Sequence, residues 1–253
     1  MKLYSIVFSP TGGTEKAAAL LTKALGGEAA AIDLTDSKQD FSAIRLTGED
    51  VAVIAVPSYG GRVPAVAVDR LSAIRGQGAR AVLVCVYGNR AYEDTLVELE
   101  DAARKAGFRV IAAVAAVAEH SIARQFAAGR PDGQDAVQLA AFGEKIQAKL
   151  SAGDLSEPKI PGNRPYKKAG GAGMVPKATK DCNRCGVCAA KCPVQAIPKD
   201  DPTKVDEKAC ISCMRCVSVC PQGARKLNPL LLSAAGLMLK KVCSQRKECE
   251  LFL

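Results

Sequence analysis

A chain of 253 residues, 48% of them apolar, is long enough for one large or two smaller folded units and has the side chains for a real core. Its net charge of +9 resides wholly in residues 151–253, and that asymmetry alone would raise nucleic acid or an anionic surface as a partner. No run approaches the roughly 20 apolar residues of a membrane span. The opening MKLYSIVFSP is too short an apolar stretch for an export signal, so a cytoplasmic location is expected, with the eleven cysteines reduced and serving as metal ligands.

In chain order, strands are predicted at Lys2–Phe8, Glu28–Leu34, Asp50–Val56, Ala79–Val86 and Phe108–Ala118. Helices are predicted at Thr14–Leu25, Val63–Arg75, Tyr92–Ala106 and Gly133–Leu150. DVAVIAV and ARAVLVCV are continuous β-rich runs, as expected of strands buried on both faces. The alternation implies an α/β fold, a doubly wound parallel sheet covered by helices, with ligands beyond the carboxyl ends of the strands. The Pro/Gly-rich Ser151–Lys180 then reads as a linker or extended arm. After the cysteines, Asn228–Leu253 is Leu-rich, and its apolar run Leu230–Leu239 is too short to cross a bilayer, so a docking tail is expected.

The loop SPTGGTE after the first strand lacks the Lys-Ser/Thr pair of a nucleotide-hydrolysing loop and the G-x-G-x-x-G of a dinucleotide loop. What remains is a set of hydroxyl and backbone N–H groups from Ser9, Thr11, Gly12, Gly13 and Thr14 at a helix N-terminus. That set suits a single phosphate monoester. The third strand is followed by Pro57, Ser58, Tyr59, Gly60 and Gly61, the fourth by Tyr87, Gly88, Asn89 and Tyr92. Glycines beside aromatic rings allow close backbone approach and a stacking face, which suits a flat heterocycle.

On these residues, segment 1–151 resembles the flavodoxins, whose phosphate-loop pattern T/S-x-T-G-x-T matches Ser9–Thr14. The resemblance implies the strand order 2-1-3-4-5 and bound FMN, held by the three loops just named. Flavodoxins place acidic residues near the flavin, whereas these loops carry Arg62 and Arg90. A nearby cation favours the anionic reduced flavin, so a flavin that is easier to reduce is expected. His120, the only histidine, closes the fifth strand, and both a hydrogen-bonding role and a role beside the flavin are open to it.

Eight cysteines form two copies of C-x₂-C-x₂-C-x₃-C-P, 28 residues apart: Cys182, Cys185, Cys188, Cys192 and Cys210, Cys213, Cys216, Cys220. This is the bacterial ferredoxin run, in which three thiolates of one copy share a cluster with the fourth of the other. One 4Fe–4S cluster is thus expected on Cys182, Cys185, Cys188 and Cys220, and a second on Cys210, Cys213, Cys216 and Cys192. Structural zinc pairs two knuckles and does not fit a repeated triple run. Segment 179–227 resembles two-cluster bacterial ferredoxins. Two clusters at about −2 each and an FMN phosphate at roughly −2 leave the assembled protein near +3, which argues against nucleic acid as a partner. Cys85 is expected in the core, Cys243 and Cys249 as free thiols.

The whole chain resembles fusions of a flavodoxin-like unit (1–151) with a ferredoxin unit (179–227), joined by a linker (152–178) and followed by a tail (228–253). The resemblance implies an intramolecular electron relay between the clusters and FMN and onward, with redox proteins as donor and acceptor and no membrane span. The alternative is a flavin-dependent reductase of a small-molecule substrate with a built-in electron supply.

Overall fold

The computed structural model describes residues 2–170 and 173–253; Gly171 and Ala172 of the expected linker lie outside the described residues. The first part runs β1 (Leu3–Val7), α1 (Gly13–Ala24), β2 (Ala29–Asp33), β3 (Val51–Pro57), α2 (Ala65–Ala73), β4 (Arg80–Tyr87), α3 (Thr95–Lys105), β5 (Arg109–Val117) and α4 (Gly133–Ser151). Each predicted strand and helix is present, with ends shifted by no more than three residues. The later residues add β6 (Lys177–Ala178), α5 (Val187–Ala190), α6 (Arg215–Ser218), β7 (Arg225–Lys226), α7 (Pro229–Cys243) and β8 (Glu250–Phe252).

The sheet order is β2-β1-β3-β4-β5-β8. The first five strands are parallel, as expected, and β8 joins the edge antiparallel to β5 through Ala113–Phe252, Val114–Leu251 and Ala115–Glu250. A separate antiparallel pair, β6 and β7, lies in the cysteine-rich part. From Val51 to Val56 every residue of β3 is buried, which is why that strand is apolar without alternation. On one face Leu71 of α2 and Leu96 and Leu99 of α3 pack with Phe8, Ile54 and Leu83. On the other, Ala17 and Leu21 of α1 and Leu139 and Ile146 of α4 pack with Val53, Val84 and Val114. Each such buried leucine or isoleucine contributes about 1.5–3 kcal/mol. The start of α4 is fixed by a reciprocal cap between Asp132 and Asp135. Asp135 is also clasped by Arg130, at 2.9 Å through Nε, in a fully buried ion pair.

Strand β8 has no counterpart among the predicted elements. Three residues, ELF, are too few to display a period, and they pair only because β5 offers an open edge. Within the expected linker Ser151–Lys180, residues 157–167 form an arm laid against α3. Ile160 packs on the core there, and the Asp94 carboxylate accepts hydrogen bonds from Asn163 N (2.8 Å), Asn163 Nδ2 (3.0 Å) and Lys167 N (2.7 Å). Arg164 binds Asp101 and Glu100, and Tyr166 donates its hydroxyl to Asp101. These contacts also explain why α3 begins at Thr95 and not at Tyr92: Asp94 faces the arm, and Glu93 has the left-handed φ of 44°.

The Lys167 N–H, with those of Asn163, holds the Asp94 carboxyl below the usual carboxylate range. A lowered folded value means the contribution is complete above the unfolded pKa near 4 and is lost as pH falls through the folded one. Asp94→Ala is expected to cost about 2 kcal/mol in urea unfolding at pH 7 and to open residues 155–170 to proteolysis. The deficit relative to the parent protein should shrink below pH 4.

Candidate functional site

The loops after β1, β3, β4 and β5 meet at the carboxyl edge of the sheet. Because β2 lies on one side of β1 and β3 on the other, the loops after β1 and β3 diverge and leave a crevice. Gly12, with φ of 91°, occupies the left-handed region and caps α1 without a side chain. The Ser9 hydroxyl accepts the Glu15 N–H at 3.0 Å. The amides of Gly13 and Thr14 lie in the first turn, where no earlier helical carbonyl exists to receive them. A small cavity of about 40 Å³ borders Thr11, Gly13, Thr14, Pro57 and Ser58.

A larger cavity of about 360 Å³ adjoins it, with Ser58, Tyr59, Tyr87, Gly88 and Ser121 as shared walls. That volume is in the range of small-molecule sites. Gly60 completes the near wall. A Cβ on Gly60 would stand 2.7 Å from the Gly170 carbonyl, and one on Gly88 would stand 2.7 Å from His120, so both glycines are required by close approach. The far walls come from distant sequence: Met174 of the arm, Ile211 and Ser212 of the second cysteine loop, and Ala235, Met238 and Leu239 of α7.

The remaining predicted residues play other parts. Gly61 (φ 85°) packs against Glu93. Asn89 is buried and holds the tail, donating to the carbonyls of Cys243 (2.8 Å) and Gln245 (2.7 Å) and accepting from Lys247 N at 3.2 Å. Tyr92 lies edge-on to Tyr87 (5.3 Å between centroids) and reaches Glu250 of β8. The two arginines do not act as free cations. Arg62 chelates Glu98 with two bonds of 2.7 Å and binds the Lys167 carbonyl, while Arg90 pairs with Glu93 at 2.8 and 3.1 Å. Each pair is close to neutral, which removes the main reason for expecting an easily reduced flavin. His120 lines the large cavity.

The duplicated cysteine loops share one backbone. Residues at equivalent positions take left-handed φ in both copies: Arg184 (58°) and Ser212 (53°), Gly186 (75°) and Met214 (61°), Gln195 (55°) and Gly223 (57°). In both, the N–H four residues beyond the last cysteine meets its sulfur, Ala196 to Cys192 at 3.3 Å and Ala224 to Cys220 at 3.2 Å. Cys182, Cys185, Cys188 and Cys220 surround one small cavity. Burial, with Cys192 among the neighbouring sulfurs, pushes the thiols of Cys213 and Cys216 up to about 12. Burial would also raise Cys220, but the N–H groups of Ala224, Gln222, Arg225 and Gly223 outweigh it and hold that thiol below its ordinary value. Among the described residues no group of His, Cys, Asp or Glu converges to hold a single metal ion.

The copies differ in what they face. The first is outward, with Cys185 exposed; the second is inward, with Cys213 buried. Arg215 donates to the carbonyls of Ser9 (3.2 Å) and Pro10 (3.1 Å), and Ser218 donates to Pro10 at 3.2 Å. The first copy has Val187 and Ala190 at those positions. Two polar residues in place of apolar ones were a signal in the repeat that the second loop docks. Tyr59 lies between cavity and loop, its hydroxyl raised well above the ordinary range by burial and by Cys213.

Residues 181–230 match the family described as a 4Fe-4S dicluster domain. The chain is 36% identical over 73 residues to polyferredoxin protein MvhB of Methanothermobacter thermautotrophicus, covering 28% of this chain and 17% of that protein. It is 38% identical over 69 residues to a tetrathionate reductase subunit of Archaeoglobus fulgidus, covering 26% and 32%. The chain thus spans less than a third of the length of these curated relatives. A flavodoxin of Streptococcus pneumoniae is 22% identical with a TM-score of 0.42, covering 58% of this chain and 99% of that one. A flavodoxin from the domain Archaea is 13% identical with a TM-score of 0.38, covering 60% and 99%. The flavodoxin-like assignment rests on the observed strand order. The chain therefore joins a flavodoxin-like fold to an iron–sulfur dicluster region, and among the described residues no helix is long and apolar enough to cross a membrane.

Asn89→Ala removes both donors that hold the end of α7. The tail is expected to be cleaved at least tenfold faster by limited proteolysis than in the parent protein, consistent with two buried hydrogen bonds at about 1 kcal/mol each.

Proposed function

We propose that this chain is an electron-transfer protein that binds FMN and two 4Fe–4S clusters and passes electrons between them and on to a redox protein in the cytoplasm. The observation that carries the reading is the shared wall. Ile211 and Ser212, between two predicted cluster ligands, line the same cavity as Ser58, Tyr59 and Gly88 at the sheet edge.

The residues present fit both groups. The small cavity beside Thr11, Gly13 and Thr14 offers backbone N–H and hydroxyl donors for a phosphate. The adjoining cavity, pinched by Gly60 and Gly88, suits the flat ring, with Tyr59 and Tyr87 in its wall, while Pro57 borders the small cavity. Ser9 and Gly12 shape the first loop; Gly61, Asn89 and Tyr92 brace the other two. Cys182, Cys185, Cys188 and Cys220 would hold the outer cluster, and Cys192, Cys210, Cys213 and Cys216 the inner one. When bound, FMN accepts one or two electrons and each cluster one. The chain itself seats the second loop on the sheet edge, through Arg215 and Ser218 on the carbonyls of Ser9 and Pro10. The cavity and its histidine also suit a second reading, a reductase acting on a small molecule at the flavin.

Protein purified without oxygen is expected to contain about eight irons and one FMN per chain. Replacing Cys210, Cys213 and Cys216 together by serine should halve the iron and leave the FMN. Zinc in place of iron, or about four irons in the parent protein, would contradict the proposal.

A further inference from the structure

We propose that His120 is a positioning donor of the cavity, its Nε2–H fixed to hydrogen-bond an acceptor atom of the bound flavin ring. This rests on the FMN reading above. Two backbone amides point at the other ring nitrogen: Ile122 N and Ala123 N donate to Nδ1 at 3.2 and 3.1 Å. A nitrogen that receives two N–H groups carries a lone pair and no proton, so the neutral ring must bear its proton on Nε2. The residue's own N–H bonds the Phe126 carbonyl at 3.1 Å, closing a tight loop that sets the ring's direction. The Cδ2 edge, next to Nε2, lies over Gly88, where even a Cβ would meet it at 2.7 Å. The imidazole thus has one orientation and one tautomer before any ligand arrives.

The surroundings leave this donor to a ligand. Two of the cavity's other polar side chains are engaged within the protein: Ser58 with Thr95 at 2.7 Å and Arg90 with Glu93. No carboxylate is among the described cavity-lining residues. The loop after β4 turns Arg90 toward His120, and the histidine's own loop holds Glu119 paired to Arg124 at 2.5 Å. The loop after β3 presents Tyr59; the arm, the second cysteine loop and α7 present Met174, Ser212 and Met238, none of them charged. Burial, and after it Arg90, lowers the histidine's pKa, so the ring is neutral at pH 7 and gains a second proton only in acid. A neutral donor fits an uncharged acceptor such as a ring carbonyl or imine nitrogen, and it strengthens as reduction adds negative charge to that atom.

The chain has a single histidine, so the ring gives one unambiguous set of nitrogen signals. Proton–nitrogen correlation spectra of the full-length protein, first without and then with added FMN, are the test. The expected result is an Nε2-protonated neutral ring at pH 8 and at pH 7 in both states, with the Nε2 signal shifted by FMN. An Nδ1-protonated ring, an imidazolium at pH 7, or an Nε2 signal unmoved while FMN binds would each overturn the inference. Failure of FMN to bind the parent protein is seen directly as absent flavin; it overturns the FMN reading, and this inference with it. His120→Gln, which keeps a side-chain N–H, should retain the parent's ratio of reduced to oxidised FMN affinity within about threefold. His120→Leu should lower that ratio about tenfold, the effect of one hydrogen bond. Equal behaviour of the two variants would reduce His120 to packing and overturn the assignment.

Discussion

The guanidinium of Arg215 rests against the carbonyls of Ser9 and Pro10, and through it the second cysteine loop is seated on the first loop of the sheet edge. Those carbonyls belong to the turn that aims the amides of Gly13 and Thr14. The contact therefore ties the geometry of the phosphate cradle to that of the cysteine loop. Ser218 adds a third bond to the same turn. On the outer side, Arg70 of α2 donates to the Pro193 carbonyl at 2.6 Å and Gln195 donates to Ser37 at 2.8 Å, so both copies of the repeat are anchored. Small iron–sulfur units have little core of their own, and here the sheet supplies a surface to fold against.

Two further segments are fixed to the sheet unit. The arm crosses α3 on a line of acidic residues, Asp94, Glu98 and Asp101, that receive Asn163, Lys167, Arg164 and, through Arg62, the Lys167 carbonyl. The tail is tied twice, by Asn89 just past the end of α7 and by β8 on the sheet edge. Ahead of these ties α7 forms one wall of the cavity while Leu230, Leu237 and Met238 stay exposed. Its packing runs through Gly236, Leu239 and Cys243 against Gln125, Ala123 and Phe126. Buried Cys243 and Cys249 are packing residues in these contacts, with Cys249 also donating its N–H to Gln138.

Much of this was legible in the sequence because it was written in short-range pattern. Buried parallel strands are continuous apolar runs, so β3, β4 and β5 could be placed within two residues at either end. The cysteine spacing and its 28-residue echo marked the dicluster region. Contacts between distant segments were not legible. Pro/Gly-rich Ser151–Lys180 carries the composition of a loose linker, yet its docking depends on a carboxylate row on α3 whose partners lie some 70 residues away. Asn89 and Tyr92 sit in a loop of ligand-binding composition, but the tail competes for them and wins. Arg62 and Arg90 counted as free charges until Glu98 and Glu93 were seen beside them. Only the exchange of Val187 and Ala190 for Arg215 and Ser218 between the copies pointed to which loop faces inward.

The central claim is that the inner cysteine loop and the sheet-edge loops together enclose one flavin beside one cluster. Diffraction from crystals grown without oxygen, with anomalous data at the iron edge, tests it most directly. The account predicts two separate iron peaks, one of them bounded by Cys192, Cys210, Cys213 and Cys216, with flavin density in the cavity walled by Tyr59, Gly88 and Ile211. A single iron peak, or flavin density anywhere but that cavity, would contradict it.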